Sequence, residues 1–312
     1  MLGILAIPAL IVAPAALLLY YFWIRDRWEK EPWSLIWWLF GLGCLSVIPA
    51  ALIEILIIGI NNQVDTVGQA FFAAFVGVAL VEEGIKFGFI YLVTCRSRHF
   101  SEEYDGIVYA VALSLGFAFF ENAMYVIIAF AEGPGGFSTA IARAFTAVPS
   151  HALDGVILGY FLGRSRFMTN QSDRLKSNAL GLTYAVLFHG LYDFFVFLIL
   201  VLPESVQGWC VVGLVWTLVV QWGVAHRLVR SAQDESALRF AAVNVPPTAG
   251  LEQRSVYAHS RGLGYPLSPG TQYSESASSN PDTPAAIGFC RHCGSSQDQG
   301  AKYCRQCGTR IG

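Results

Sequence analysis

Charged residues are scarce in this chain. Asp, Glu, Lys and Arg make up 13% of its 312 residues, against about 25% in soluble domains, whereas 54% of the residues are apolar. The apolar excess lies almost entirely before Arg230, in stretches that reach the ~20 residues needed to cross a ~30 Å hydrocarbon layer as a helix. This shortage of charge excludes an ordinary soluble protein and indicates a helical membrane protein.

Seven apolar stretches are long enough to span a membrane. The first lacks the basic N-terminal region of a signal peptide and is longer than the usual apolar core of one, so we interpret it as a retained span. The predicted spans are Leu2 to Ile24, Trp33 to Ile60, Val67 to Thr94, Asp105 to Ala131, Phe137 to Leu162, Asn178 to Leu202 and Gly208 to Val229. The sequence therefore predicts an all-α membrane helix bundle of about seven spans over residues 1–230.

Lys and Arg are absent from alternate loops. The loops Asn61 to Thr66 and Pro203 to Gln207 contain neither residue, and Arg143 is the one basic residue on that side. The opposite loops contain Arg25, Arg27, Lys30, Arg96, Arg98, Arg164, Arg166, Arg174 and Lys176. Because basic loops stay in the cytoplasm, we expect a multi-pass protein of the bacterial cell membrane with its N-terminus outside and its C-terminus in the cytoplasm.

The last part of the chain lacks apolar periodicity. Residues 231–287 are rich in Ser, Pro, Gly and Ala and predict a disordered linker, because they cannot bury enough surface to offset their ordering entropy. Residues 288–312 contain two C-x2-C pairs ten residues apart, which is the spacing of a zinc ribbon. The expected ligands of this structural zinc are Cys290, Cys293, Cys304 and Cys307. Two disulfides are the alternative, which a reducing cytosol disfavours.

The predicted ribbon has few basic residues, namely Arg291, Lys302, Arg305 and Arg310. This makes a weak electrostatic case for nucleic acid as its partner. We expect instead that the ribbon recruits or senses a cytoplasmic partner from a flexible tether.

Ionisable residues inside the predicted spans break the apolar pattern. Each is costly in lipid and is therefore a candidate functional residue. Span three carries Glu82, Glu83 and Lys86, span four Glu121 and Asn122, span five His151 and Asp154, and span six His189 and Asp193. Pairs spaced three or four residues apart share a helix face. Because lipid cannot satisfy these groups, we expect the four faces to converge on a small polar cavity.

Clustered carboxylates in a cavity of low dielectric suit peptide hydrolysis. Their repulsion makes one carboxyl group a usable acid, while an ionised neighbour can act as a base. One Glu would deprotonate a water, a second acid or a histidine would stabilise the oxyanion, and Lys86 would compensate one negative charge. Alternatively, His151, His189 and Asp193 join a Glu as a metal shell, although the chain has no H-E-x-x-H motif.

Some of these residues also have structural interpretations. Glu83 and Lys86 can form a buried ion pair, as intramembrane charges usually do. Asp154 can hydrogen-bond a neighbouring helix. Glu54, in span two, belongs to no motif and is interpreted as structural or as part of a helix break.

The ordered motifs resemble the PrsW family of intramembrane proteases, which belongs to a wider group containing the CAAX-processing membrane proteases. The cytoplasmic stretch RDRWEKEPW resembles the family's basic-acidic segment ending in EP. Glu82, Glu83 and Lys86 match its EExxK motif, Phe117 and Glu121 match FxxxE, His151 matches an SHA-type segment, and His189 and Asp193 match HxxxD. The resemblance covers approximately residues 20–200.

The resemblance implies cleavage of a membrane-anchored protein near or within the bilayer, with an anti-sigma factor of a stress response as the family's usual example. It implies that Glu82 and Glu83 include the water-activating base, and that Glu121, His151 and His189 polarise the scissile carbonyl or protonate the amine. Glutamic-type and metal-dependent mechanisms both stay open. Arg143 is expected to contact substrate or to pair with Glu132.

Two other classes of function stay open. The wider group contains non-catalytic members, so the chain could be a membrane scaffold of the same fold. The carboxylates could also relay protons in a coupled transporter, although the sequence has no inverted repeat of the kind many transporters have.

Overall fold

The computed structural model describes residues 2–59, 64–94, 97, 99–133 and 135–244, and two short strands near the C-terminus. Before the strands, the described chain consists of helices and their connections. The helices are α1 Leu2–Ile24, α2 Trp33–Ile58, α3 Val67–Phe72, a π-helical segment Ala73–Ala79, α4 Leu80–Thr94, α5 Glu103–Glu132, α6 Gly136–Phe145, α7 Ala147–Phe167, α8 Gln171–Val201 and α9 Glu204–Asn244.

The predicted spans correspond to these helices. Six helical stretches are long and apolar enough to cross a membrane: α1, α2, α5, α6 with α7, α8 and α9. The third predicted span is also helical throughout, as consecutive pieces of 6, 7 and 15 residues with the π-helical segment in the middle. The described chain is thus an all-helical bundle with six to seven membrane-capable helices.

The fifth predicted span is divided into two helices. Thr146 has non-helical backbone angles and separates α6 from α7, and its hydroxyl donates to Ala142 O at 2.7 Å. Pro149 follows in the first turn of α7, where the missing amide proton costs no helical hydrogen bond. The break allows α6, which carries Arg143, to take a different direction from α7.

Helix α5 is the centre of the bundle, and every residue from Glu103 to Ala118 is buried. Helix α7 packs backbone to backbone against it, since a Cβ atom added to Gly159 would lie 2.3 Å from Gly106 O. Helix α2 approaches α5 as closely at another face, where a Cβ on Gly116 would lie 2.0 Å from Phe40 O. Small residues permit such contacts between membrane helices, so three helices are held in fixed register.

The outer helices present large apolar side chains on their surfaces. Leu56 in α2, Leu200 in α8 and Trp209 in α9 are 84%, 74% and 76% exposed. Contiguous apolar exposure of this kind marks a membrane or protein contact. Together with the spans, it identifies the bundle's outer face as its lipid-facing surface.

Helix α9 continues beyond the last predicted span, so the expectation of a disordered linker beginning at residue 231 is wrong for residues 231–244. This part contains good helix formers, and its Ala232 and Ser236 are fully buried. Ser236 Oγ accepts a hydrogen bond from Tyr104 N at 3.0 Å. Arg239 forms an ion pair with Glu103. The linker composition begins only after this packed segment.

Residues 245–287 and all four predicted zinc ligands lie outside the described residues. Near the C-terminus the structure describes two short strands, β1 Gly288–Phe289 and β2 Ser296–Gln297, which pair antiparallel. The first predicted zinc knuckle lies between them in the sequence. The ribbon and its zinc stay predictions.

Candidate active site

The first part of the site is one turn of α4. Lys86 Nζ donates to Glu82 Oε2 at 3.0 Å and to Glu83 Oε1 at 2.7 Å. The lysine is fully buried, and its ammonium also lies 4.1 Å from the centroid of the Phe117 ring on α5. The predicted Glu83–Lys86 ion pair is therefore present, and the same ammonium holds Glu82.

His151 of α7 links this turn to α5. Its Nδ1 lies 3.1 Å from Lys86 Nζ, and its Nε2 lies 2.9 Å from Glu121 Oε2. An ammonium can only donate, so Nδ1 has to accept and the ring proton belongs on Nε2, where Glu121 accepts it. This assignment follows from the network and gives a neutral, oriented imidazole.

His189 of α8 faces carboxylates with both ring nitrogens. Its Nδ1 lies 2.8 Å from Glu83 Oε1, and its Nε2 lies 3.3 Å from Asp193 Oδ2. The same Nε2 is 3.8 Å from Glu82 Oε2. The His151 and His189 rings are 5.0 Å apart between centroids. The network therefore suits a ring that donates from both nitrogens.

The neighbour of His189 explains how α8 is held. A Cβ added to Gly190 would lie 2.4 Å from the ring of Phe75, in the π-helical segment directly before α4. This segment and α8 are therefore in close contact directly before the turn of α4 that carries Glu82 and Glu83. Such π-helical insertions are frequent at functional sites.

Arg143 reaches the site from α6. Its Nη2 lies 2.9 Å from Glu121 Oε2, and its guanidinium lies 4.1 Å from the centroid of the Tyr125 ring. The alternative of a pair with Glu132 is wrong, because the guanidinium of Arg143 forms its ion pair with Glu121. The side chains of Arg143, Glu121 and Asp193 are 16%, 14% and 18% exposed, so they form the more open side of the site.

Asp154 and Asn122 occupy the buried surroundings of the site. Asp154 Oδ1 accepts a hydrogen bond from Gln221 Nε2 of α9 at 2.6 Å, which confirms that it bonds a neighbouring helix. Its other oxygen lies 3.7 Å from His189 Nδ1. Asn122 is fully buried, and its amide has no hydrogen-bond partner among the described residues. The geometry therefore joins Asp154, but not Asn122, to the histidines.

Glu54 of α2 belongs near the site, although its isolated position in the sequence predicted only a structural role or a helix break. Its carboxylate interacts electrostatically with Glu82, Glu121 and Asp193, and its Oε1 is buried without a hydrogen-bond partner in the described chain. The signal that could have found it was its position as an acid inside a span, since such residues are functional candidates even without a motif.

The donor set of the site fits a divalent metal. Glu82, Glu83, His151 and His189 each offer one ligand atom, and these atoms lie within 4.8 Å of one another. Carboxylate and imidazole ligands suit zinc and iron. Lys86 Nζ, however, contacts three of these four residues, so its ammonium already supplies a cation to the same carboxylates.

Comparison with known proteins relates this chain to one family. The model of a family described as PrsW family intramembrane metalloprotease matches residues 31–224. A protein named Protease PrsW from Bacillus subtilis is 36% identical over 183 residues, which cover 59% of this chain and 79% of the relative. The proteins of that name from Geobacillus kaustophilus and Clostridioides difficile are 34% and 28% identical, over 71% and 69% of this chain and 90% and 87% of theirs. No solved structure matches.

Proposed function

This chain belongs to the PrsW family of intramembrane proteases, and we propose that it hydrolyses peptide bonds of membrane-anchored proteins at the cluster of Glu82, Glu83, Glu121, His151 and His189. The observation that carries the proposal is the convergence of these side chains from α4, α5, α7 and α8 within one bonded network. Ionisable side chains inside membrane spans are costly and therefore usually mark a functional site.

Glu82 is the better candidate for the base that activates water. Glu83 has a fully buried side chain, and its Oε1 lies between Lys86 Nζ at 2.7 Å and His189 Nδ1 at 2.8 Å. Its role is then to position these two groups. Glu82 retains slight exposure and contacts only Lys86 at hydrogen-bond distance. A carboxylate that is more accessible and has an oxygen free of hydrogen bonds, as in Glu82, can receive a proton from water.

The remaining groups account for the other steps of hydrolysis. As the water oxygen attacks the scissile carbonyl carbon, its proton passes to Glu82 and negative charge develops on the carbonyl oxygen. His189 can keep its Nδ1 contact with Glu83 while its Nε2–H, 3.3 Å from Asp193, turns to donate a hydrogen bond to that oxygen. Breakage of the C–N bond requires a proton on the leaving nitrogen, which Glu82 can return. His151 and Glu121 form the wall of the site nearest Arg143.

A metal is compatible with this donor set but is not required by the steps above. When bound, it would be held by Glu82, Glu83, His151 and His189 and would supply Lewis-acid polarisation of the carbonyl. Lys86 would then have to move away from the carboxylates it now contacts. The position of Lys86 favours the glutamic-type mechanism.

The test measures cleavage of a panel of single-span membrane proteins by the purified chain. Glu82→Gln should lower the rate by about 10²- to 10⁴-fold, the usual contribution of a general base. Glu132→Gln is the matched control, because Glu132 is an exposed glutamate on α5 at the end of the helix. Correct folding of each variant is checked by thermal unfolding.

Chelation distinguishes the two mechanisms. In a chain ending at Asn244, which removes the predicted zinc ribbon, cleavage that survives chelation would support the glutamic-type mechanism. Cleavage lost on chelation and restored by added metal would support a metalloprotease. Full activity of Glu82→Gln would contradict the proposed role of this residue.

The location of the cluster among helices that can span a membrane supports a membrane-anchored substrate. We expect a protein with at least one span, and the family resemblance suggests an anti-sigma factor as a first candidate. The basic loops predict that the N-terminus lies outside and the C-terminus in the cytoplasm. Cysteine labelling at either end of the chain in intact cells would test this orientation.

The C-terminal ribbon is proposed to bind one structural zinc through its four cysteines and to contact a cytoplasmic partner. The support is the spacing of the two C-x2-C pairs. Metal analysis of the full chain and of a Cys290→Ser variant would test it, with about one zinc expected per wild-type chain and none in the variant. Wild-type protein without zinc would contradict the proposal.

A further inference from the structure

A second group of buried acids lies at the end of the bundle that carries the basic loops. Asp26 and Glu31 follow α1, whereas Glu102 and Asp105 stand at the start of α5. All four are between 0% and 4% exposed. Burial of several carboxylates together is unfavourable unless other groups compensate their charge. None of these acids belongs to the proposed active site.

The three acids nearest one another form a compact set of oxygen donors. One carboxylate oxygen from each of Asp26, Glu102 and Asp105 lies within 4.8 Å of the others. Asp105 Oδ2 accepts hydrogen bonds from Ser101 N at 2.7 Å and from Glu102 N at 2.9 Å. Asp26 Oδ2 accepts one from Glu31 N at 3.3 Å. Backbone donors therefore hold one oxygen of each aspartate.

The second oxygens of the same side chains lack partners. Asp26 Oδ1, Asp105 Oδ1 and Glu102 Oε1 are buried, and none has a hydrogen-bond partner among the described residues. Glu31 Oε2 is also buried without a donor, although the Glu31 carboxyl group interacts with Tyr109 and Asp105, and the Glu102 carboxyl group interacts with Asp26. Native proteins rarely leave buried carboxylate oxygens unsatisfied, so these oxygens require a cation, a water or a shared proton.

The described part of the chain supplies no close cation to these acids. No ion pair within 4 Å joins them to a Lys or Arg in the described residues. Lys30 acts on Asp26 at longer range, and its ammonium and the Arg25 guanidinium lie over the rings of Trp23 and Tyr21. Arg239 pairs with the neighbouring Glu103. An external cation or bound protons must therefore relieve the repulsion among these carboxylates.

The charge state of the group is consistent with this deficit. Burial is the main cause that raises the pKa of Asp26 to about 6, of Glu31 to about 8 and of Glu102 to about 9. For Glu102, the neighbouring Asp26 carboxylate adds to the effect. Without a bound cation, Glu31 and Glu102 would therefore keep protons at neutral pH. A cation would displace them on binding.

We infer that Asp26, Glu102 and Asp105 bind a hard divalent cation of the Mg²⁺ or Ca²⁺ class, with Glu31 as an additional oxygen donor. All the available ligands are carboxylate oxygens, which these cations prefer, whereas zinc usually takes nitrogen or sulfur ligands as well. The geometry points to this site independently of the protease chemistry. If no cation binds at this site, the proposed protease function is unaffected.

A cation at this site would tie together three parts of the bundle. It would join the loop after α1 to the start of α5, where Tyr104 OH donates to Phe22 O at 3.0 Å. The extension of α9 contacts the same region, since Gln233 Nε2 donates to Arg25 O at 2.9 Å. The cation would therefore stabilise the junction at which the C-terminal tail leaves the bundle.

The test uses Mn²⁺ as a paramagnetic probe of the full, zinc-loaded chain in detergent, without a chelator that would remove zinc. Free Mn²⁺ is measured by electron paramagnetic resonance, and Ca²⁺ or Mg²⁺ is then added as a competitor. Glu102→Gln and Asp105→Asn should each weaken Mn²⁺ binding at least tenfold. Both carboxamides keep an oxygen acceptor, so the hydrogen bonds to Asp105 can survive.

The matched control is Asp173→Asn, an exposed acid on the same side of the bundle that pairs with Lys176 at 3.7 Å. It should bind Mn²⁺ as the wild type does. Loss of Mn²⁺ binding in His189→Ala with retention of binding in Glu102→Gln would assign the bound ion to the active site and overturn the inference. Absence of binding, together with higher thermal stability of Glu102→Gln, would also overturn it and show that shared protons relieve the repulsion.

Discussion

His151 Nε2 lies 2.9 Å from Glu121 Oε2, across the interface between α7 and α5. The same ring contacts Lys86 of α4 through Nδ1, and the same carboxylate oxygen contacts Arg143 of α6. These polar contacts join four helices in the order α4, α7, α5 and α6. Because each member has its partners on other helices, disturbance of one packing contact should change the whole network.

Lys86 should be the residue of this network whose loss destabilises the fold most. Lys86→Met keeps the length of the side chain but leaves the buried carboxylates of Glu82 and Glu83 without their cation. Removal of one partner from a buried ion pair costs roughly 3–5 kcal/mol. We expect a loss of that size in the free energy of unfolding, measured by denaturant titration in mixed micelles.

The double variant Lys86→Met with Glu83→Gln controls this interpretation. It removes one of the two stranded charges and should recover part of the lost stability. If the double variant were less stable than Lys86→Met, charge compensation would not be the main role of the lysine.

Gly159 should control the distance between the two helices that carry His151 and Glu121. In Gly159→Ala, the new Cβ would lie 2.3 Å from Gly106 O, so α5 and α7 have to separate. Overpacking of this kind costs about 1–3 kcal/mol. We expect a lower midpoint of thermal unfolding and reduced cleavage, because the separation also shifts His151 relative to Glu121.

Gly41→Ala in α2 is the matched control, since no atom lies within 4 Å of the added Cβ. It should be neutral or stabilising by about 0.4–1 kcal/mol through the unfolded state. Equal destabilisation by both variants would indicate that helix flexibility, rather than the close contact of α5 and α7, is the important property.

The sequence allowed the span positions and the main residues of the candidate site to be proposed for one physical reason. Lipid penalises polar side chains strongly, so Glu82, His151 and His189 stood out against the apolar background. Glu54 did not, because it lies alone in its span, and only the fold brings it near Glu121. The partner of Arg143 was also not predictable, since it depends on the break at Thr146 and hence on the direction of α6.

The pH dependence of stability should reflect the second acidic group. The ordinary pKa of 4.5 rises to about 8 for Glu31 and to about 9 for Glu102 on folding, mainly through burial. The folded state therefore binds more protons than the unfolded state between these values, and stability falls as pH rises from about 4.5 to about 9. Thermal unfolding at pH 5, 7 and 9, without divalent cations, should show this decline.

Glu102→Gln isolates the contribution of this group from that of other acids. The carboxamide does not titrate, so the decline with pH should be less steep in the variant, and Asp173→Asn at the exposed Asp173 should leave it unchanged. An equal slope in Glu102→Gln and wild type would show that other groups cause the pH dependence.

The extension of α9 should be part of the folded bundle, unlike the tail that follows it. Truncation after Asn244 keeps the described contacts of the extension, whereas truncation after Arg230 removes the Arg239–Glu103 ion pair. It also removes Ser236, whose Oγ accepts from the amide of Tyr104 in the first turn of α5. That amide has no partner within its own helix. The loss of Ser236 therefore leaves a buried donor unsatisfied, which costs about 1–3 kcal/mol of stability.

We therefore expect the chain ending at Asn244 to unfold at the same temperature as the full chain, and the chain ending at Arg230 to unfold at a clearly lower one. Ser236→Ala in the full chain is the finer comparison, because it removes one acceptor and leaves the helix in place. It should lower stability by a fraction of the truncation effect. If both truncated chains matched the full chain, the contacts of residues 231–244 would contribute nothing to the fold, and a cation bound beside Glu102 would have no helix to stabilise there.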